Sequence, residues 1–263
     1  MSSIVPAATI LMVRDDPEAG LEVLMVERHH QIDFASGALV FPGGKVSQDD
    51  RDPAWGDHCD GLFEEGERAL RIAAIREAFE ESGLLLARPA AQRGEGAPFI
   101  GVEAVAPLEG LRAAINAGEV SFLKTIEQAG FTLALDALVP YAHWITPEGM
   151  PKRFDTHFYI ARAPSEQDAL CDGCETVDAC WITPRSALAA AMEKRRTIIF
   201  PTRLNVDMLA DAANAEDALT AARARRVITV TPQIVREDGG LMLIIPAEAG
   251  YRVTREPLEG NRP

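Results

Sequence analysis

Apolar positions fall into runs whose spacing changes along the chain. Residues 4 to 14 and 21 to 28 are apolar-rich segments separated by "DDPEAG", which predicts a hairpin closed by a turn. "ALVFPGGKV" runs apolar into Pro-Gly-Gly, a strand ended by a sharp turn, and residues 47 to 63 have no period and read as an inserted loop. From Glu64 to Leu86, the positions Leu70, Ala73, Ala74, Phe79 and Leu84 repeat with a helical period, and Gly83 suits a C-terminal cap. Residues 107 to 130 read as two short helices broken at Gly118. Extended character returns at "LVPYAHWITP", "DTHFYIARAP" and "TVDACWITP". Helices are then expected over "RSALAAAMEKRR" and over residues 201 to 226, followed by a hairpin turning at Glu237 to Gly240. No low-complexity linker or repeat interrupts the alternation. The reading is one α/β domain over residues 1–263, with an insertion at about 45–66 and a helical insertion at about 107–130.

Charge narrows the function classes. Forty acids against 26 bases give a net charge of −14, which disfavours nucleic acid and anionic membrane as partners. An anionic substrate would need a bound cation or well-placed arginines. The opening "MSSIVPAATILMVRDD" is too short for a membrane span and lacks a basic leader, so a first strand and a cytoplasmic location are expected. Cys171 and Cys174 form a CxxC with no second ligand pair at metal spacing, which favours reduced thiols over zinc.

One stretch resists a bland explanation. "IREAFEESGLL" crowds Glu77, Glu80 and Glu81 into about one turn, although like charges three or four apart cost a helix about 0.2–0.5 kcal/mol per pair. Glu77 and Glu81 share a face with Glu80 on its flank, while Ile75 and Phe79 pack toward the core. Either this is a solvated acidic face, or rigidly held carboxylates await a hard divalent cation.

"FPGGKV" and "REAFEESGLL" together resemble the Nudix box, G-x5-E-x7-R-E-U-x-E-E-x-G-U with U a bulky aliphatic residue. Arg76 and Glu77 match its R-E, Glu80 and Glu81 its E-E, Gly83 its second glycine, Leu84 its last aliphatic and Gly44 its first glycine. Gly44 lies 32 residues before Arg76 instead of 14, so about 18 extra residues interrupt the box. Counted back from Arg76, the isolated glutamate falls at Arg68; Glu67 beside it is one residue out of helical register, and whether it substitutes stays open. Arg28, Gly37 and Phe41-Pro42-Gly43-Gly44 fit the motif preceding the box in coenzyme A diphosphatases, with Asp33 where that motif has a second arginine and His29 where it has a small residue. The chain looks most like the branch related to a peroxisomal enzyme.

The resemblance implies an α/β/α sandwich with a mixed β-sheet and extra helical insertions. It implies Mg2+ or Mn2+ held by Glu77, Glu80, Glu81 and the Gly44 carbonyl, with Arg76 fixing the loop–helix geometry. Glu77 or Glu80 would serve as general base; sequence does not separate base from ligand. Arg28, Phe41, Gly43 and Arg153 are the expected substrate contacts, with Arg203 a further anion candidate and Asp155 expected to hold Arg153 or a turn. Glu175 is a candidate late carboxylate. His143 and His157 read as structural, and Trp144 and Trp181 as core. The expected function is metal-dependent pyrophosphohydrolysis of a nucleoside-diphosphate-linked small molecule, first coenzyme A or acyl-coenzyme A. ADP-ribose, NADH or a dinucleotide as substrate, or a non-catalytic nucleotide-binding module, are the alternatives. No nucleic-acid or membrane partner is expected, and a homodimer stays open.

Overall fold

The computed structural model describes residues 3–28, 37–169, 176–237 and 240–258, with backbone only for Arg28 and 176–178. In chain order the strands are β1 (Ile4–Asp16), β2 (Gly20–Arg28), β3 (Leu39–Val40), β4 (Gly43–Lys45), β5 (Ala87–Pro89), β6 (Phe131–Leu133), β7 (Val139–Ile145), β8 (Arg153–Arg162), β9 (Thr176–Ile182), β10 (Thr229–Val230), β11 (Gln233–Glu237), β12 (Gly240–Ile244) and β13 (Arg255–Pro257). The helices are α1 (Glu65–Ser82), α2 (Val102–Val105), α3 (Arg112–Asn116), α4 (Phe122–Ala129), α5 (Pro184–Met192), α6 (Phe200–Leu209) and α7 (Ala215–Ala224).

Strand β1 organises the main sheet. One edge pairs with β8 in parallel from Ile4 to Val13; the other is shared, with β4 opposite Ala7–Thr9 and β2 opposite Val13–Asp16. Beyond β8 lie β7 and β10, and beyond β2 lie β3 and β9, which makes a mixed eight-stranded sheet. The near-continuous apolar run of β1 follows from helices covering both faces. Ala8, Ile10 and Met12 pack with Ile72, Ile75 and Phe79 of α1, while Leu11 and Val13 join Leu204 of α6 and Leu219 of α7 in a second core. The layered α/β architecture expected from the sequence is present. Residues 233–257 add a separate three-stranded sheet, β11–β12–β13.

Several boundaries differ from the sequence reading. Helix α1 stops at Ser82, because Gly83 adopts φ 77 and its N–H closes on the Phe79 carbonyl; Leu84–Leu86 continue as buried, non-helical chain. The single helix expected over 201 to 226 is two, since the Asn214 side chain accepts from the Asp217 N–H and starts α7. The pair β5–β6 carries no alternation long enough to be read. Gly118, at φ 70, does separate α3 from α4.

The segment read as a loop is tightly built. It forms two 3-10 turns, Asp49–Arg51 and Pro53–Asp57. The Trp55 ring is fully buried, donates to the Asp49 carbonyl at 2.9 Å and tilts against Phe122 of α4. Asp49 in turn accepts from the Ser121 hydroxyl at 2.8 Å. The absence of period misled because this segment is held by caps and one aromatic rather than by a repeating face.

Candidate active site

The Pro-Gly-Gly turn delivers β4 against β1 so that Gly44 pairs with Ala8, directly under the last turns of α1. A Cβ on Gly44 would lie 2.4 Å from a Glu77 carboxylate oxygen and would push that carboxylate aside, while one on Gly43 would lie 2.6 Å from the Ala8 carbonyl oxygen, a backbone clash that requires glycine there. The neighbouring Gly43 N–H donates to Glu81 Oε2 at 3.1 Å. Loop and helix therefore meet through backbone and carboxylates, with the Gly44 backbone beside Glu77.

Arg76 ties the assembly together. Its Nη1 donates to Glu77 Oε1 at 2.9 Å and to both Glu80 oxygens at 3.0 and 3.1 Å. Its Nη2 reaches the Lys45 carbonyl at 2.9 Å, and Nε and Nη2 grip Asp50 as a fork at 2.9 and 3.0 Å. Asp50 is wholly buried, and its carboxylate also accepts the Ser47 N–H. Burial alone would disfavour charge on Arg76, but Glu77, Asp50 and Glu80 outweigh it and hold the guanidinium protonated well above its ordinary value. Burial, assisted by the charges of Glu77 and Asp50, overcomes the pull of Arg76 and pushes Glu80 up to about 7. From the other side, Arg112 of α3 donates to the Glu80 carbonyl at 2.9 and 3.1 Å and fixes the helix end.

Asp50 is the residue that sequence reasoning missed. Counting back from Arg76 led to Arg68 and Glu67; leaving five residues after Gly44 leads to Asp50. The extra residues thus enter after the loop's acid, and the fold returns that acid to Arg76. Glu67 pairs instead with Arg71 one turn along α1, at 2.7 Å, with its side chain 45% exposed. Arg68 lies beside Gly56 and acts electrostatically on Cys59.

Three carboxylates (Asp50, Glu77 and Glu80) thus surround one guanidinium, with Glu81 of the same helix held by the Gly43 N–H, an arrangement that favours added positive charge. The donor set of three glutamates beside a glycine carbonyl is all hard oxygen, which fits Mg2+ or Mn2+ and not a thiophilic ion. Of the three glutamates, Glu77 lines a cleft of about 860 Å3, within the roughly 300–1,000 Å3 of ligand pockets. Gly43, Gly44, Phe41 and Arg76 also line it. Its far walls are apolar, with Trp144, Phe158, Phe200, Ile234 and Leu243, and two cations, Lys45 and Lys152, face it.

The remaining sequence candidates are dispersed. Arg153 Nε donates to the Thr146 carbonyl at 3.1 Å, and its neighbour Lys152 is the one that lines the cleft. Arg203 pairs with Glu256 of β13. Asp155 does not hold Arg153, because the pairing of β7 with β8 places it against His143. Trp144 is buried in the core and also walls the cleft. The Arg28 side chain, Glu175 and the pair Cys171 and Cys174 lie outside the described residues. Among those described, Cys59 is a buried free thiol, and no helix is long and apolar enough to cross a membrane.

Comparison with known proteins agrees with this geometry. Residues 60–209 match the NUDT19 Nudix domain family. The human acyl-coenzyme A diphosphatase NUDT19 is 27% identical over 288 residues, covering 94% of this chain and 76% of that protein. The Gallus gallus protein of the same name is 29% identical, over 64% of this chain and 55% of its own length, so this chain spans about half of that relative. A crystal structure of a NUDIX hydrolase from Alicyclobacillus acidocaldarius superposes with a TM-score of 0.71 at 25% identity, covering 84% of this chain and 97% of that one.

Proposed function

The chain belongs to the Nudix hydrolase family, and from that premise we propose that it cleaves the diphosphate of coenzyme A or its acyl thioesters with Mg2+ or Mn2+ bound by Glu77, Glu80, Glu81 and the Gly44 carbonyl. The observation that carries this reading is one cleft lined both by Glu77, Gly44 and Arg76 and by aromatic and aliphatic side chains. A diphosphate reacts beside the charged residues, while a pantetheine arm with its acyl group suits the apolar lining. The acyl-coenzyme A diphosphatase name of the human relative supports the same substrate.

The reaction transfers a phosphoryl group to water: a water oxygen attacks one phosphorus, the bridging P–O bond breaks, and 3′,5′-ADP and 4′-phosphopantetheine, or its acyl form, result. A bound divalent cation neutralises phosphate charge and lowers the pKa of an attacking water. The chain's own residues do the rest. Arg76 and Asp50 hold Glu77 and Glu80 at fixed separation, which removes the reorganisation that four mutually repelling carboxylates would otherwise undergo. Glu77, at the cleft wall, is placed to accept the proton of water. Lys45 and Lys152 offer positive charge to the phosphates. The apolar walls exclude bulk water from the acyl arm.

A panel of diphosphates with each metal, resolved by product chromatography, tests this. Release of 3′,5′-ADP from acyl-coenzyme A, absent in Glu77→Gln, is expected. Faster cleavage of ADP-ribose would move the assignment to that substrate, and no cleavage of any diphosphate would leave a nucleotide-binding module.

A further inference from the structure

A second cluster of ligating side chains lies away from the box. The pairing of β7 with β8 puts His143 directly opposite His157, and Asp155, two residues earlier on β8, shares that face. The two imidazoles stack with centroids 4.0 Å apart. Asp155 Oδ1 is 2.5 Å from His143 Nε2 and 3.7 Å from His157 Nε2, and one ligand atom of each residue falls within 4.8 Å of the others. Their side chains are 19%, 37% and 34% exposed, in the order His143, Asp155, His157, so an ion can reach them from solvent.

The surroundings also suit a metal. His143 Nδ1 lies 2.8 Å from the Thr229 hydroxyl of β10. When Nδ1–H donates to that oxygen, the Nε2 lone pair faces Asp155 and is available to an ion. This is the outer hydrogen bond that typically orients a ligating histidine. A proton serves only the His143–Asp155 pair. His157, whose pKa is pushed down by burial and then by the adjacent His143, brings a further ring nitrogen to the same place. Glu67 on α1 lies near enough to act on His157 electrostatically, adding negative charge on the helix side.

We propose that His143, Asp155 and His157 form a binding site for a transition-metal ion of the Zn2+ class, separate from the carboxylates around Arg76. Two imidazoles and one carboxylate select Zn2+ and its neighbours over Mg2+ and Ca2+, which prefer all-oxygen sets. In strand order, Gly44 pairs with Ala8 and Ala8 with His157. Two inter-strand spacings, roughly 10 Å, therefore separate the sites along one row of the sheet. An ion there would tie β7 to β8 through side chains in addition to their backbone ladder.

Calorimetric titration of chelator-stripped full-length protein with Zn2+, in excess Mg2+, tests the assignment without any substrate. One Zn2+ per chain is expected, retained in Glu77→Gln/Glu80→Gln and weakened by at least about 10-fold in His143→Gln/His157→Gln, in line with losses at metal shells. In the wild-type protein, the ring resonances of both histidines should shift together on Zn2+ addition, a readout that needs no variant to fold. Absence of Zn2+ uptake under excess Mg2+, uptake unaffected by the histidine variant, or unmoved histidine resonances would each overturn the proposal.

Discussion

The helical half of the candidate active site, residues 76–84, and its loop half, residues 43–50, meet at Arg76 but are held by different means. On the helix, spacing alone brings Glu77, Glu80 and Glu81 together, and Phe79 beneath them sets their direction. On the loop no period exists; position comes from Gly44 pairing with Ala8, the Asp50–Arg76 fork and the buried Trp55 behind it. The helical half tolerates no change of register, whereas the loop half accepts extra residues once its acid has been placed. That difference explains how the box can be interrupted without being dismantled.

The sharpest way to break the helical half is to remove its cleft-facing charge. Glu77→Gln is expected to lower kcat/KM by about 10³-fold, since transition-state charge stabilisation through a metal is worth several kcal/mol and about 1.4 kcal/mol is tenfold. Steady-state kinetics under saturating Mn2+ measure it.

Withdrawing the metal probes the crowded carboxylates next. Glu80 is raised above its ordinary value, so between about pH 4.5 and 7 the folded state binds more protons than the unfolded one. Its contribution to stability therefore falls as pH rises through that window. Melts of chelated protein should show the metal-dependent gain in Tm growing from pH 5 to pH 8. At pH 8, a metal present at 100 times its Kd adds about 2.7 kcal/mol. An equal gain at both pH values would contradict the placement of Glu80.

Smaller effects compare the cations. Lys152→Ala should raise KM for the diphosphate several-fold, because Lys152 lines the cleft, while Arg153→Ala, whose guanidinium holds the Thr146 carbonyl, should leave KM within about 2-fold, as for an interaction worth under 0.5 kcal/mol. Smallest of all, Glu67→Gln removes a half-exposed i,i+4 pair and should cost about 0.3–0.5 kcal/mol of stability with kcat unchanged.

Much of this was legible in the sequence, for a physical reason. The α1 signal was strong because helical period, core anchors and Gly83 all point one way. The longer strands of the main sheet (β1, β2, β7, β8 and β9) were legible as extended runs, whereas β4 was read as a turn, and β10 was read together with β11 as one strand of the C-terminal hairpin although the two belong to different sheets. Asp50 was not, since its role depends on an ion pair 26 residues away that no periodicity encodes. Its signal was present all the same, in the five-residue spacing from Gly44, once the register is counted from the loop instead of the helix. The meeting of His143, Asp155 and His157 was likewise hidden, because it requires the pairing of β7 with β8. The C-terminal hairpin was readable as a hairpin, but not that Ile234 and Leu243 wall the cleft.

The most direct test of the central claim, that Asp50 supplies the loop acid of an interrupted box, is the kinetics of acyl-coenzyme A cleavage by Asp50→Asn across a Mn2+ titration. Loss of the fork should lower kcat/KM by about 10–100-fold and raise the Mn2+ needed for half-maximal activity by a similar factor, as disruption of a metal's outer shell typically does. Wild-type activity in Asp50→Asn, with activity abolished instead in Glu67→Gln, would contradict it.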